Sequence, residues 1–121
     1  MKKLLMILIL LSTGCAAVVV GGAAAVGTYT YAAGQLVGAY NANLETTYKA
    51  AIAGCETLSL PIYSHELNLS TASITTKDGD KDVWISIKAQ TSTTTEVAVR
   101  VGYLGDEFAS KRIHDAIAAK L

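Results

Sequence analysis

The sequence predicts an α+β domain: a mainly antiparallel sheet packed by two helices, in the order β-α-β-β-β-α, behind an apolar N-terminal leader. Three observations carry this expectation. Apolar residues recur every three or four positions after Asn43 and again after Asp106, the period of an amphipathic helix. Between these stretches, residues 72–103 alternate apolar and polar around two turn signals, the period of strands with one buried face. Helices gathered on one face of such a sheet form a two-layer arrangement.

The leader comes first. Lys2 and Lys3 precede the apolar run Leu4–Leu11, small polar residues follow (Ser12, Thr13, Gly14), and then comes Cys15. This is the layout of an export signal with a small residue directly before a cysteine. Ser12-Thr13-Gly14-Cys15 resembles the lipobox of bacterial lipoproteins, with Ser12 where leucine is usual. The resemblance implies a diacylglyceryl thioether (palmitate-type acyl chains) on Cys15, cleavage between Gly14 and Cys15, and acylation of the new amino group. Two or more acyl chains hold a protein stably on a bilayer, at about 0.8 kcal/mol per buried CH₂. Ala16, where sorting for inner-membrane retention uses Asp, points to the periplasmic face of the outer membrane, with the inner membrane as the alternative. A rival reading stays open: Leu4 to Val26 carries no charge, enough for an uncleaved spanning helix of about 20 residues, with Tyr29 and Tyr31 as an interfacial belt.

The expected organisation is therefore a signal peptide over 1–14, a lipidated Ala/Gly-rich tether over 15–34 and the α+β domain over 35–121. In the tether, Ala17, Gly21 and Ala25 share a helical face at spacing four, a pattern that Ala and Gly abundance alone produces.

Within the domain, Leu36 and Tyr40 of QLVGAY mark a short strand. Asn43 is the expected N-cap of the first helix, with Glu45 in its first turn and a buried stripe of Leu44, Tyr48, Ile52 and Cys55 beside Ala51. After Leu58 the period shortens towards two. Leu60 and Ile62 alternate, whereas Tyr63, His65, Leu67 and Leu69 run in the opposite phase, so a bulge or a break falls near Ser64. Asp78-Gly79 suits a two-residue type I′ turn, which pairs Ile74 with Val83 and Ala72 with Ile85. A second turn over Thr91–Thr95 sets Ile85 opposite Val101 and Val83 opposite Tyr103, with Trp84 opposite Gly102 on the outward face. The closing helix begins at Asp106 and Glu107. It buries Ala109, Ile113, Ala116, Ile117 and Leu121, has Phe108 at its edge, and pairs Glu107 with Lys111.

Composition narrows the function. Formal charge is zero, and loss of Lys2 and Lys3 on cleavage leaves eight basic against ten acidic side chains. Such a chain is not built to neutralise a row of phosphates, so nucleic acid is not an expected partner. Two cysteines exclude a disulfide framework; with Cys15 acylated, Cys55 reads as a small buried hydrophobe.

Several motifs invite chemistry and fall short of it. Asp78-Gly79-Asp80-Lys81-Asp82 looks like the start of a calcium loop, but Val83 and Ala89 stand where an EF-hand loop needs Gly and Glu. His65 and His114 have no cysteine or acidic cluster at ligand spacing and are expected at the surface or an edge, so no metal or cofactor is implied. In Ser64-His65-Glu66, strand neighbours point to opposite faces, which argues against triad geometry. Asn68-Leu69-Ser70 fits a glycosylation sequon that carries no information in a bacterial lipoprotein. No catalytic residue is assigned. Trp84, with Lys88 and Arg100, forms a candidate contact surface on the outward sheet face, since tryptophan and arginine often dominate interfaces. The alternative is that Trp84 merely covers Gly102.

Beyond the leader, GCAAVVVGGAAAVGTY, YNANLETTYKAA and TEVAVRVGYLGDEFASKRIHDAI resemble a family of small bacterial lipoproteins of unknown function, over nearly the whole chain. The resemblance implies the lipoprotein anchor and the strand–helix–strands–helix order, and no activity. The expectation is a non-enzymatic envelope lipoprotein, tethered to the membrane through Cys15, that binds or scaffolds an envelope protein partner. A carrier of a small apolar ligand is the alternative, and it requires a cavity of some 300 Å³ or more beneath the helices.

Overall fold

The computed structural model describes residues 29–121. The leader, the Gly14–Cys15 cleavage site and the lipidation site Cys15 therefore lie outside the described residues. Strands β1 (Thr30–Ala32) and β2 (Gln35–Tyr40) lead into helix α1 (Leu44–Thr57). Strands β3 (Ile62–Leu67), β4 (Thr71–Asp78), β5 (Lys81–Ala89) and β6 (Thr95–Val101) follow, and helix α2 (Glu107–Ala118) closes the domain. All strands join one sheet in the order β1-β2-β6-β5-β4-β3, with every neighbouring pair antiparallel. The α+β class and the expected succession of strand, helix, strands and helix are observed, in a sheet of six strands where the sequence led to four.

The sheet extends beyond its expected core at both edges. β1 pairs Thr30 with Val37 and Ala32 with Gln35, so the end of the stretch 15–34, read from the sequence as tether, belongs to the sheet. At the other edge β3 shifts register between Ile62 and Ser64, which resolves the change of phase there as a bulge.

Both hairpins keep the expected faces but sit two residues off the expected register. Asp78 pairs with Lys81, so Gly79 and Asp80 make the turn and Ile74 faces Ile85. Gly79 takes φ +67° at the first central position, the glycine site of a type II′ turn. In the second hairpin Ile85 faces Val99 and Val83 faces Val101. A slip of two leaves every side chain on its own face, so the alternation is satisfied equally by both registers.

The core lies between this inward ladder and the helices. Tyr40, Ile74, Val83, Ile85, Ile87, Val97, Val99, Ile113 and Ile117 are all buried. The α1 cap is as expected: Asn43 Oδ1 accepts from the Thr46 amide at 2.8 Å. The α1 stripe is rotated from the expected one. Leu44, Thr47, Ala50, Ala51, Gly54 and Cys55 are buried, while Tyr48 and Ile52 sit at the margin. Thr47 is tolerated inside because its hydroxyl donates to the Asn43 carbonyl at 2.8 Å. Gly54 permits the helices to touch, since a Cβ there would lie 3.2 Å from the Ala116 backbone carbon and the Ile117 nitrogen. In α2 the buried residues are Ser110, Ile113, His114 and Ile117, with Ala109 and Leu121 only partly covered. Phe108 is exposed instead of lying at the stripe's edge. Lys111 pairs with Asp115 at 2.9 Å, not with Glu107.

Candidate functional site

The helices cover one face of the sheet and leave the other open. On that open face the observed register places Trp84 directly opposite Arg100, not opposite Gly102, and Lys88 opposite Glu96. Gly102 lies past the end of β6, so the reading of Trp84 as a cover for a bare glycine does not hold. Tyr103 meets the indole instead, their ring centroids 5.7 Å apart and tilted by 53°.

Arg100 fixes this arrangement. Its Nη1 donates to the Tyr103 carbonyl at 2.9 Å, and its Nη2 donates to the Ala33 carbonyl in the β1–β2 turn. One planar guanidinium therefore ties the loop after β6 to the first hairpin, a task suited to its fixed fork of donors. The result is a shallow concavity of about 360 Å³ lined by Gln35, Trp84, Ser86, Ala98, Arg100 and Tyr103. Small residues (Ser86, Ala98) make its floor, and the two aromatic rings and the guanidinium rise around it. Of the three residues singled out by sequence, Trp84 and Arg100 come together here; Lys88 does not line the hollow. Tyr103 joins the site only in the observed β5–β6 register, since the expected one puts it on the inward ladder, and Gln35 joins it because β2 lies beside β6, with Leu36 opposite Val99.

The histidines divide. His65 lies on exposed β3, its Nδ1 2.7 Å from the Tyr48 hydroxyl. His114, expected at the surface or an edge, is fully buried. Its Nε2 lies 2.7 Å from the Leu36 carbonyl and its Nδ1 2.7 Å from the Tyr40 hydroxyl. A carbonyl can only accept, so Nε2 carries the proton and Nδ1 accepts from Tyr40. The Tyr29 ring packs on the same imidazole at 4.6 Å between centroids. Burial pushes the His114 pKa below its ordinary value and the Tyr40 hydroxyl's above its own. The group is a neutral, satisfied buried network that pins α2 to β2.

Other reactive groups are engaged or sealed. In the Asp78–Asp82 turn, Asp78 pairs with Arg112 at 2.9 Å and Asp82 with Lys77 at 3.9 Å. Cys55 is buried, which pushes its thiol up to about 11 and keeps it an unreactive thiol.

A search of curated proteins finds no match. A family model described as "Protein of unknown function (DUF3568)" matches residues 1–120, and the chain belongs to that family.

Proposed function

We propose that the chain is a bacterial envelope lipoprotein, held to the periplasmic face of the outer membrane by acyl chains on Cys15, with a non-catalytic binding or scaffolding role. The observation that carries the reading is the order of Lys2–Lys3, the apolar run Leu4–Leu11, and Gly14 directly before Cys15. The near-neutral domain that follows offers its open sheet face, where Trp84, Tyr103 and Arg100 surround a hollow of about 360 Å³, as the contact surface for another envelope protein. Lys88 stands outside that hollow and is not needed for it. The carrier reading finds less support. The helix–sheet layer is filled by Ile74, Ile85, Ile113 and Ile117, and Gly54 brings α1 against the backbone of α2.

The test is acyl labelling, fractionation and in-cell crosslinking of the native chain beside Cys15→Ser and Trp84→Ala. The proposal expects the native chain to lose residues 1–14 and carry label on Cys15. Cys15→Ser keeps its leader and takes no label, and Trp84→Ala stays anchored but loses its crosslinked neighbour. A native chain that retains Leu4–Val26 without label is instead held by a spanning helix, and the lipid-anchor reading falls. Unchanged crosslinks in both Trp84→Ala and Arg100→Ala remove this face as the contact surface.

A further inference from the structure

Tyr31, Tyr103, Leu104 and Phe108 are large apolar side chains exposed at one end of the domain, the last three at 82%, 94% and 85%. The segments that carry them are braced against each other. Arg100 holds the carbonyls of both Ala33 and Tyr103. Gly105 packs so closely that a Cβ there would fall 2.6 Å from the Tyr31 hydroxyl. β6 reaches this end beside the β1–β2 turn because Leu36 pairs with Val99, and α2 starts from Asp106. Phe108 points away from the buried Ser110–Ile113–Ile117 stripe, and helical side chains lean towards the helix N-terminus, which is this end. The outcome is an apolar tip built on packed backbone.

An exposed apolar patch marks a contact with protein or membrane, and two observations select the membrane. The first is charge. Asp78, Asp82 and Asp106 near the tip are paired with Arg112, Lys77 and Lys81, and Asp80 beside Leu104 and Glu107 beside Phe108 leave the rim acidic. Apolar side chains in such a rim suit the headgroup–acyl boundary of a zwitterionic surface, entered by apolar area and not by attraction to anionic lipid. The second is the chain ahead of the domain. It carries no charge from Leu4 to Thr28, and it joins the fold at Tyr29, whose hydroxyl donates to Asp115 of α2 at 3.4 Å. The fourteen residues 15–28 span at most about 50 Å, whatever their path. A domain so tethered meets its bilayer at high effective concentration, so a modest apolar tip suffices to dock it.

We infer that Leu104 and Phe108 form a second membrane contact, entering the surface of the bilayer that holds the anchor and setting which way the Trp84–Tyr103 face points. This rests on the lipid-anchored reading proposed above. The full-length lipidated protein, reconstituted in phosphatidylcholine vesicles, tests it with single cysteines at L104C, F108C and, as a control in the exposed β5–β6 loop at the opposite end, T93C. Cys55 is buried, so an environment-sensitive fluorophore reports the introduced site. Probes at 104 and 108 are expected to shift to the blue and to be quenched by lipids brominated about 5–10 Å below the headgroups, while the probe at 93 stays aqueous. High salt leaves both effects in place.

Probes at 104 and 108 as aqueous as the one at 93, on protein still bound to vesicles, overturn the inference and leave the anchor standing. Shielding at 104 and 108 without lipid quenching, in a chain that sediments as a dimer, assigns the tip to a second copy and overturns it too. Mass spectrometry that finds no acyl group on Cys15 fails the anchor reading separately, and lipid quenching at 104 and 108 in that chain still decides the tip.

Discussion

The Tyr40 hydroxyl lies 2.7 Å from Nδ1 of His114, 74 positions further along the chain. One hydrogen bond thus joins β2 to α2 across the core, and the opposite imidazole nitrogen donates to the backbone of Leu36 on the same strand. Both polar groups are fully buried, so the pair holds only while both partners are present. Its role is to set how the last helix lies on the sheet, which in turn positions the loop after β6 that carries Tyr103 and Leu104.

Tyr40→Phe removes one oxygen and leaves Nδ1 of His114 without a donor. A buried acceptor so stranded costs about 1–3 kcal/mol. Urea denaturation of the variant is expected to show that loss in its midpoint with an unchanged slope. An unaltered midpoint places the network outside the stabilising core.

Acid should weaken the same contact. Burial lowers the pKa of His114 below the ordinary 6.5, so the unfolded chain takes up a proton at higher pH than the folded one. Stability from this group is therefore full above pH 6.5 and declines as pH falls from there towards the folded value, below which it levels off. The groups around the imidazole are Tyr29, Tyr40 and Asp115. Urea midpoints measured between pH 8 and pH 5 should fall for the native chain and fall less for His114→Gln, which stays neutral throughout. Parallel profiles assign the acid sensitivity to other groups.

Two glycines separate strain from collision. Gly79 has φ +67° and open space about it, whereas Gly105 has φ +84° and a Cβ there would meet the Gly34 oxygen at 2.4 Å. Gly79→Ala is expected to cost only backbone strain, about 1 kcal/mol. Gly105→Ala adds a backbone collision that no rotamer relieves, and its cost should exceed that of Gly79→Ala by at least about 1–3 kcal/mol. Thermal midpoints of the two variants give the comparison. Equal losses would mean that the loop after β6 yields.

Much of the fold is legible in the sequence because its signals repeat. Ala72, Ile74, Val83, Ile85, Val97 and Val99 alternate strictly, and the alternation fixes the buried face whichever of two registers is chosen. The register itself is not legible. Asp78-Gly79 and Gly79-Asp80 are both acceptable turns, and the loop 90–94 has no glycine to settle its own geometry. That ambiguity hid one member of the candidate site: Trp84 and Arg100 stand out as residue types, but Tyr103 joins them only in the true register. His114 was misplaced for another reason. Its position between Ile113 and Ile117 lies on the buried stripe, yet the partners that make burial tolerable, Leu36 and Tyr40, are 78 and 74 residues away.

Arg100 links the order of the loop after β6 to the proposed contact face. Its two nitrogens reach carbonyls on different segments, Ala33 and Tyr103, and lysine offers a single compact ammonium in place of that fork. Arg100→Lys keeps the charge and releases one of the two carbonyls. The loop then no longer holds Tyr103 against Trp84, at present 5.7 Å between ring centroids. Trp84 is the only tryptophan, so intrinsic emission reports this one contact. The variant is expected to emit further to the red and to be quenched more readily by iodide. Its far-ultraviolet circular dichroism should not change, because the strands themselves remain paired. If this face is the proposed contact surface, the same variant should crosslink less to its neighbours in the envelope despite its retained positive charge. Native emission and native crosslinking in Arg100→Lys would show that the charge of residue 100, and not its bridging geometry, is what the surface uses.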